Sequence, residues 1–127
     1  MPFTVEWPRE SDVVIVRGMG DVGARAHQDM LAALTRACEA RPSSRVVLDL
    51  SAVDHVPTAE EARALAQHVV AMAKAKCRVA VVGRSGAQYG VARMVETISS
   101  VRDVISAAFQ SVDEALAWIR ATPEVSP

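Results

Sequence analysis

The sequence predicts an α/β fold in which helices pack on a mostly parallel sheet. Short valine-rich segments alternate with segments whose apolar residues recur every three or four positions, a pattern typical of βαβ units. Half of the 127 residues are hydrophobic but only 4% are aromatic, so small side chains form most of the predicted core. The predicted order is β-β-α-β-α-β-α-β-α, with an antiparallel N-terminal edge strand and right-handed crossovers between the parallel strands.

Two strands are predicted before the first helix. Residues Phe3 to Trp7 alternate weakly, and Pro8 ends this segment because proline cannot donate to a strand ladder. Val13 to Arg17 follows after a turn, so the two segments would pair as an antiparallel hairpin. This pairing places Phe3 to Trp7 at an edge of the sheet.

The first helix is predicted over Ala24 to Ala40, after a glycine-rich break at Gly18 to Gly23. Its apolar face has helical spacing: His27, Met30, Leu31, Leu34, Ala37 and Cys38. The strand Arg45 to Leu50 follows. Because this strand is apolar on both faces, we expect it at the centre of the parallel sheet. A loop is predicted over Ser51 to Pro57.

Capping boxes predict the starts of two later helices. Thr58 with Glu61 precedes the second helix, and Ser111 with Glu114 precedes the fourth. The second helix has an apolar face: Ala62, Leu65, Ala66, Val69, Met72 and Ala73. The fourth helix has a shorter one: Val112, Ala115, Leu116 and Ile119. Both patterns predict helices that bury one side against the sheet.

The remaining elements complete the alternation. A buried strand is predicted over Val79 to Gly83, followed by a turn over Arg84 to Gly86. The third helix has five positions predicted to face inward: Ala87, Val91, Met94, Val95 and Ile98. The last strand lies within Val101 to Phe109. We expect a single domain over residues 1–127, with a frayed tail over 122–127.

Composition excludes several classes of protein. Charge is balanced, with 14 Lys and Arg against 15 Asp and Glu, so we expect no nucleic-acid partner and no strong attraction to a membrane. No segment approaches the length of a membrane span, and the two cysteines fit a reducing compartment, so we expect the cytoplasm. The three histidines lack the spacing of a metal site, so no metal and no cofactor is predicted.

Gly18 to Gly23 reads G-x-G-x-x-G between a strand and a helix. This pattern is typical of dinucleotide binding, with Asp49 in the next strand as the acidic residue for the ribose. However, Asp21 would set a negative charge against the phosphates. A strand-to-helix turn is therefore the preferred interpretation, and a small nucleotide- or CoA-binding domain stays an alternative hypothesis.

Gly83 to Ala87 resembles the nucleophile elbow of a hydrolase, with Ser85 in the position of the nucleophile. Such an enzyme needs a histidine later in the chain, and none follows Ser85. We therefore predict no catalytic residue and no enzyme. Ser85 and Gly86 would instead satisfy the N-terminus of the third helix, where Arg84 and Arg93 favour an anionic group.

Three further motifs are the strand and Gly-x-x-Asp turn over Val14 to Asp21, the V-L-D-L-S strand over Val47 to Ser51, and Pro57 to Glu61 at the start of the second helix. Together they resemble the motifs of STAS domains, the fold of anti-sigma factor antagonists and of sulfate-transporter tails. In antagonists the second serine of the last motif is phosphorylated. Here that position is Ala59, and only its neighbour Thr58 has a hydroxyl.

The SpoIIAA-like branch of that fold resembles the sequence at two further places. One is the strand Val79 to Gly83 with Tyr89 and Arg93 after it. The other is a C-terminal pattern: Phe109, Ser111, Glu114, Ala115, Trp118 and Ile119. The resemblance implies a ligand- or lipid-binding module without the phosphoacceptor serine.

The predicted function is a non-enzymatic STAS-like regulatory or binding module. We expect a partner protein, or a small apolar, anionic or lipid-like ligand, near the N-termini of the second and third helices. Loops at the carboxyl ends of parallel strands meet there, and open α/β sheets bind ligands at that edge. The candidate binding residues are Thr58, Arg84, Ser85, Tyr89 and Arg93. An alternative hypothesis is a phospho-regulated anti-sigma factor antagonist that uses Thr58 as its phosphoacceptor.

Overall fold

A computed structural model describes residues 3–6, 13–20, 24–40, 45–53, 58–74, 78–84, 86–101 and 105–121. The strands are β1 (Phe3–Glu6), β2 (Val13–Gly20), β3 (Arg45–Val53), β4 (Arg78–Val82) and β5 (Ser106–Phe109). The helices are α1 (Ala24–Ala40), α2 (Ala59–Lys74), α3 (Gly86–Val101) and α4 (Val112–Ala121). The sheet has the order β1-β2-β3-β4-β5, and only β1 is antiparallel to its neighbour. The predicted fold class and element order are confirmed.

The helices cover both faces of the sheet. Helices α1, α2 and α3 contribute to one core cluster, and α4 contributes to the other. Successive side chains of β3 alternate between these layers, since Val46 and Leu48 face the three helices and Val47 faces α4. All three valine and leucine side chains are fully buried. This explains why the strand is apolar on both faces.

The capping box at Thr58 forms with both of its backbone contacts, whereas at Ser111 the Glu114 carboxylate accepts the Ser111 hydroxyl at 3.2 Å. The Glu61 amide donates to Thr58 Oγ1 at 3.2 Å, and the Thr58 amide donates to Glu61 Oε1 at 3.1 Å. At the start of α4, the Glu114 amide donates to Ser111 Oγ at 3.2 Å. These contacts satisfy amides that have no partner within the helix, so each helix begins where its sequence predicts.

Strands β2 and β3 each run three residues beyond their predicted ends. The register explains the difference: Arg17 pairs with Asp49, but Met19 pairs with Ala52, so β3 holds one extra residue in a β-bulge. The predicted break at Gly18 and the predicted loop at Ser51 are therefore wrong for residues 18–20 and 51–53. Pairing between strands overrides the local turn signal of the glycines.

Gly18 is required by packing. A Cβ at this position would lie 2.7 Å from Val53 Cγ2 and 3.4 Å from Met30 Sδ. The backbone of β2 therefore approaches the end of β3 more closely than a side chain would allow. The first glycine of the G-x-G-x-x-G pattern makes room for the core, and Asp21 to Gly23 lie outside the described residues.

One residue predicted to face inward on α3 lies on the surface. Met94 is 42% exposed, whereas Val91 and Val95 are buried. Successive helical residues are separated by about 100°, so Met94 lies on the rim of the buried stripe that its neighbours define. The structure does not describe the side chains of five residues on the predicted apolar faces, nor the tail over 122–127. The five are His27, Ala37, Cys38, Met72 and Ala87.

His68 connects α1 and α2. Its Nε2 atom forms a short hydrogen bond with Thr35 Oγ1, and that hydroxyl donates to the Leu31 carbonyl at 3.1 Å. Burial lowers the pKa of His68, and a backbone hydrogen bond at Leu31 opposes the shift. The neutral imidazole is therefore the form that fits between the two helices.

Candidate functional site

The carboxyl ends of β3 and β4 meet at one edge of the sheet, which we call the carboxyl edge. The strands are parallel neighbours, with Leu48 opposite Val81 and Asp49 opposite Val82. The chain leaves β3 toward α2 and leaves β4 toward α3, so the N-termini of both helices lie at this edge. Helix N-termini and strand ends of this kind form the usual binding edge of an open α/β sheet.

Among the described residues, Thr58 and Arg84 are the candidates at the carboxyl edge itself, and both are exposed. Thr58 caps α2, so its hydroxyl oxygen already accepts the Glu61 amide. Glu60 and Glu61 give the first turn of α2 a negative charge. Arg84 supplies a positive charge after β4, so the edge presents opposite charges before its two helices.

Tyr89 and Arg93 lie farther along α3. Arg93 Nη1 pairs with Glu96 Oε1 at 3.1 Å, and Glu96 Oε2 accepts the Ala108 amide of β5 at 2.6 Å. Tyr89 is seven residues before Glu96 and lies on the same side of the helix. The structure thus places half-buried Tyr89 on the side of α3 that faces β5, with exposed Arg93 beside it. Ser85 lies outside the described residues.

Gln88 is a residue of the edge that sequence reasoning missed. Its Nε2 donates to the Val53 carbonyl at 2.5 Å, and its Oε1 accepts the Arg84 amide at 3.1 Å. One side chain therefore links the end of β3 to the segment that follows β4. The S-x-x-Q spacing of Ser85 and Gln88 is a local signal for a contact with the backbone before α3, but no local signal marks the contact with Val53, which lies on another strand.

Asp49, the acidic residue of the dinucleotide-binding pattern, has structural contacts within the protein. Its carboxylate is 3% exposed. Oδ1 accepts the Ser51 amide at 2.9 Å and the Ser51 hydroxyl at 2.5 Å, and Oδ2 lies 3.4 Å from Arg17 Nη1. The carboxylate therefore satisfies the amide that the bulge releases from the ladder. It is fully engaged inside the protein.

Two classes of site find no support in the part of the chain that the structure describes. No group of three His, Cys, Asp or Glu residues is arranged to hold a metal ion there. Among the same residues, no helix has the length and hydropathy needed to cross a membrane.

Solved structures share this arrangement along almost the whole chain. An anti-sigma factor antagonist from Mycobacterium paratuberculosis has a TM-score of 0.65 at 22% identity, covering 93% of this chain and 92% of its own. The antagonist SpoIIAA in its unphosphorylated form has a TM-score of 0.62 at 14% identity, covering 94% of this chain and 99% of its own. The chain has the fold of the anti-sigma factor antagonists. A Shewanella loihica protein described as having a SpoIIAA-like fold has a TM-score of 0.61 at 18% identity, covering 92% of this chain and 91% of its own.

These similarities confirm the STAS-like, SpoIIAA-like fold that the sequence motifs predicted. No protein-family model matches the sequence, and a search of curated proteins finds no match. At such low identity the shared property is the fold. What this STAS-fold chain binds must therefore be argued from its own residues.

Proposed function

We propose that this chain is a non-enzymatic regulatory module that binds a partner protein at its carboxyl edge. The observation that carries the proposal is the exposure of Thr58 and Arg84 at the start of two helices that follow neighbouring parallel strands. The fold is that of proteins described as anti-sigma factor antagonists. We also propose a cytoplasmic location, because the two cysteines fit a reducing compartment.

Surface chemistry on α3 supports a protein partner. Met94 is exposed, and Gly90 is exposed four residues before it. Apart from the adjacent residues and backbone of α3 itself, no described atom lies within 4 Å of a Cβ built on Gly90. An exposed apolar side chain next to exposed Arg93 in the same helix resembles the mixed composition of a protein interface. The side of α3 that continues from the carboxyl edge would contribute to the contact.

Site-specific photo-crosslinking tests the location of this contact. A photo-reactive amino acid would replace Arg84 in one variant and Tyr89 in another, and the matched controls would carry it at exposed Ala32 on α1 and Arg120 on α4. We expect a crosslinked product of defined mass from the first two positions in a lysate of the source organism. Equal products from the controls, or none from Arg84 and Tyr89, would exclude the carboxyl edge.

A small anionic ligand is the second occupant that the edge favours, because Arg84 is an exposed cation beside the N-terminus of α3. Thermal-shift titration with inorganic phosphate and with anionic lipid vesicles would detect such binding. We expect Arg84→Ala to weaken it more than Arg93→Ala, since Arg93 is already paired with Glu96. Unchanged affinity in both variants would exclude this site.

Phosphorylation of Thr58 is a separate candidate form of regulation. Its hydroxyl is exposed at the N-terminus of α2, where the helix dipole stabilises a phosphate. Glu60 and Glu61 in the same turn oppose the added charge. Intact-mass measurement after incubation with a partner kinase and ATP would decide. A mass gain in the native chain that is lost in Thr58→Val supports this regulation, and no gain excludes it for that kinase.

A further inference from the structure

Gln88 donates one hydrogen bond and accepts another at the carboxyl edge. Its Nε2 donates to the Val53 carbonyl at 2.5 Å, and its Oε1 accepts the Arg84 amide at 3.1 Å. Val53 is the last residue of β3, and Thr58, which caps α2, lies five residues later in the sequence. Arg84 follows β4 and precedes α3. One backbone group thus lies at the end of the strand before α2, and the other lies in the segment before α3.

The backbone of Gln88 is itself held close to the sheet. A Cβ built on Gly83 would overlap the carbonyl group of Gln88, so α3 approaches the end of β4 as closely as a glycine allows. The Gly83 amide donates to the Phe109 carbonyl at 2.9 Å, which ties this glycine to β5. The side chain of Gln88 therefore extends from a fixed position, and its short reach suffices for both partners.

The chemistry of these partners selects an amide side chain. A carbonyl oxygen needs a donor and a backbone N–H needs an acceptor, and the terminal amide of glutamine offers both. A glutamate of the same length offers acceptors alone, and an aliphatic residue offers neither group. The pair of contacts is therefore specific to glutamine rather than to side-chain size.

We propose that Gln88 is a positioning residue that couples the β3–α2 connection to the β4–α3 connection. This proposal rests on the proposed function, because the two connections matter when Thr58 and Arg84 act on one partner. A displacement of either connection strains or breaks the bond to the other. Binding or modification at Thr58 is thereby communicated to Arg84 without any contact between these two side chains.

Backbone amide hydrogen exchange, measured by NMR, tests the positioning. The variants are Gln88→Leu and Gln88→Glu, with Gln67→Leu and Gln67→Glu on the exposed face of α2 as matched controls. In Gln88→Leu, we expect exchange at Arg84 to accelerate by about threefold to tenfold, which corresponds to the net contribution of one hydrogen bond. In Gln88→Glu the acceptor for the Arg84 amide remains, so Arg84 stays protected from exchange. The donor to the Val53 carbonyl is lost, so the Thr58 and Glu61 amide resonances shift.

This split response separates positioning from general destabilisation. A residue that only supports overall stability would change exchange throughout the sheet, including the Val47 and Val81 amides, and both variants would behave alike. Equal behaviour of the two variants at Arg84 and Glu61, or the same changes in the Gln67 controls, would overturn the proposal. If Gln88→Leu does not fold, Gln88→Glu still tests it through the Thr58 and Glu61 resonances.

A double-mutant comparison tests the coupling itself. We expect Thr58→Ala to shift the Arg84 amide resonance in the native background and to leave it unchanged in the Gln88→Glu background. An equal shift in both backgrounds, or none in either, would refute the coupling. Because this experiment uses no partner, its failure is distinct from failure of the crosslinking experiment, which tests the proposed function alone.

Discussion

Replacement of Asp49 by alanine is expected to destabilise the end of β3. The carboxylate is 3% exposed and accepts the Ser51 amide at 2.9 Å and the Ser51 hydroxyl at 2.5 Å. Its other oxygen lies 3.4 Å from Arg17 Nη1. Alanine removes all three interactions and leaves the Ser51 amide of the bulge without its acceptor.

The expected loss is about 2–3 kcal/mol in the free energy of unfolding. Hydrogen bonds to a charged group contribute about 1.5–3 kcal/mol each. The Arg17 side chain is 37% exposed and stays solvated after the substitution, so its pair adds less than about 1 kcal/mol. Relief from burying the carboxylate offsets part of the total. Asp49→Asn keeps an acceptor for the Ser51 amide, and its expected loss is about 1 kcal/mol.

Urea denaturation followed by circular dichroism measures both variants. The control is Glu6→Gln, which removes the half-exposed partner of Arg17 at 3.2 Å and should change the unfolding free energy by less than about 0.5 kcal/mol. The stabilising role of the Asp49 hydrogen bonds would be refuted if Asp49→Ala lowered the unfolding free energy by less than about 1 kcal/mol, or if Asp49→Asn lowered it as much as Asp49→Ala.

Other predictions follow from packing and charge. Gly18→Ala should cost about 1–3 kcal/mol in urea denaturation because its Cβ overlaps the core, whereas Gly90→Ala, with open space around it, should gain about 0.5–1 kcal/mol. Because burial lowers the pKa of His68, stability should fall as pH drops below about 6.5, and His68→Gln should flatten that part of the thermal-stability profile. Glu96→Ala frees the Ala108 edge amide and should increase self-association in gel filtration, whereas Glu96→Gln should not.

Local signals predicted the fold and the starts of the two capped helices. Thr58 and Ser111 each have a glutamate three residues later, and both caps form because their atoms lie within one helical turn. The alternation of strands and helices likewise fixes a parallel sheet through short-range chain constraints. These features depend on residues that are close together in the sequence and not on contacts between distant elements.

Features that depend on strand register were missed. The bulge in β3 arises because Arg17 pairs with Asp49 while Met19 pairs with Ala52, and no segment of the sequence reports that slip by itself. The contact of Gln88 with Val53 joins residues on different elements. The predicted convergence of Thr58 and Arg84 with Tyr89 and Arg93 remains a proposal, and sequence spacing alone did not separate the residues at the edge from those along α3.

One local and one long-range contact hold the end of β3 before the chain reaches Thr58. Asp49 binds the Ser51 amide within the bulge, and Gln88 binds the Val53 carbonyl at the strand end. Neither contact uses the Thr58 side chain, so the carboxyl edge is shaped before any modification of that hydroxyl. A preformed edge lowers the ordering cost of binding, which favours recognition of a partner by shape and charge over recognition that requires a phosphate.

A preformed carboxyl edge predicts different effects of two substitutions on partner binding. Thr58→Ala removes a helix cap, at a cost of about 1 kcal/mol in stability, and because its effect reaches Arg84 only through Gln88, it should lower the yield of the Arg84 photo-crosslink only slightly. Gln88→Leu should lower that yield, because the two connections lose their common contact. A crosslink that disappears in Thr58→Ala and persists in Gln88→Leu would instead show that the Thr58 hydroxyl, and not the preformed edge, governs recognition.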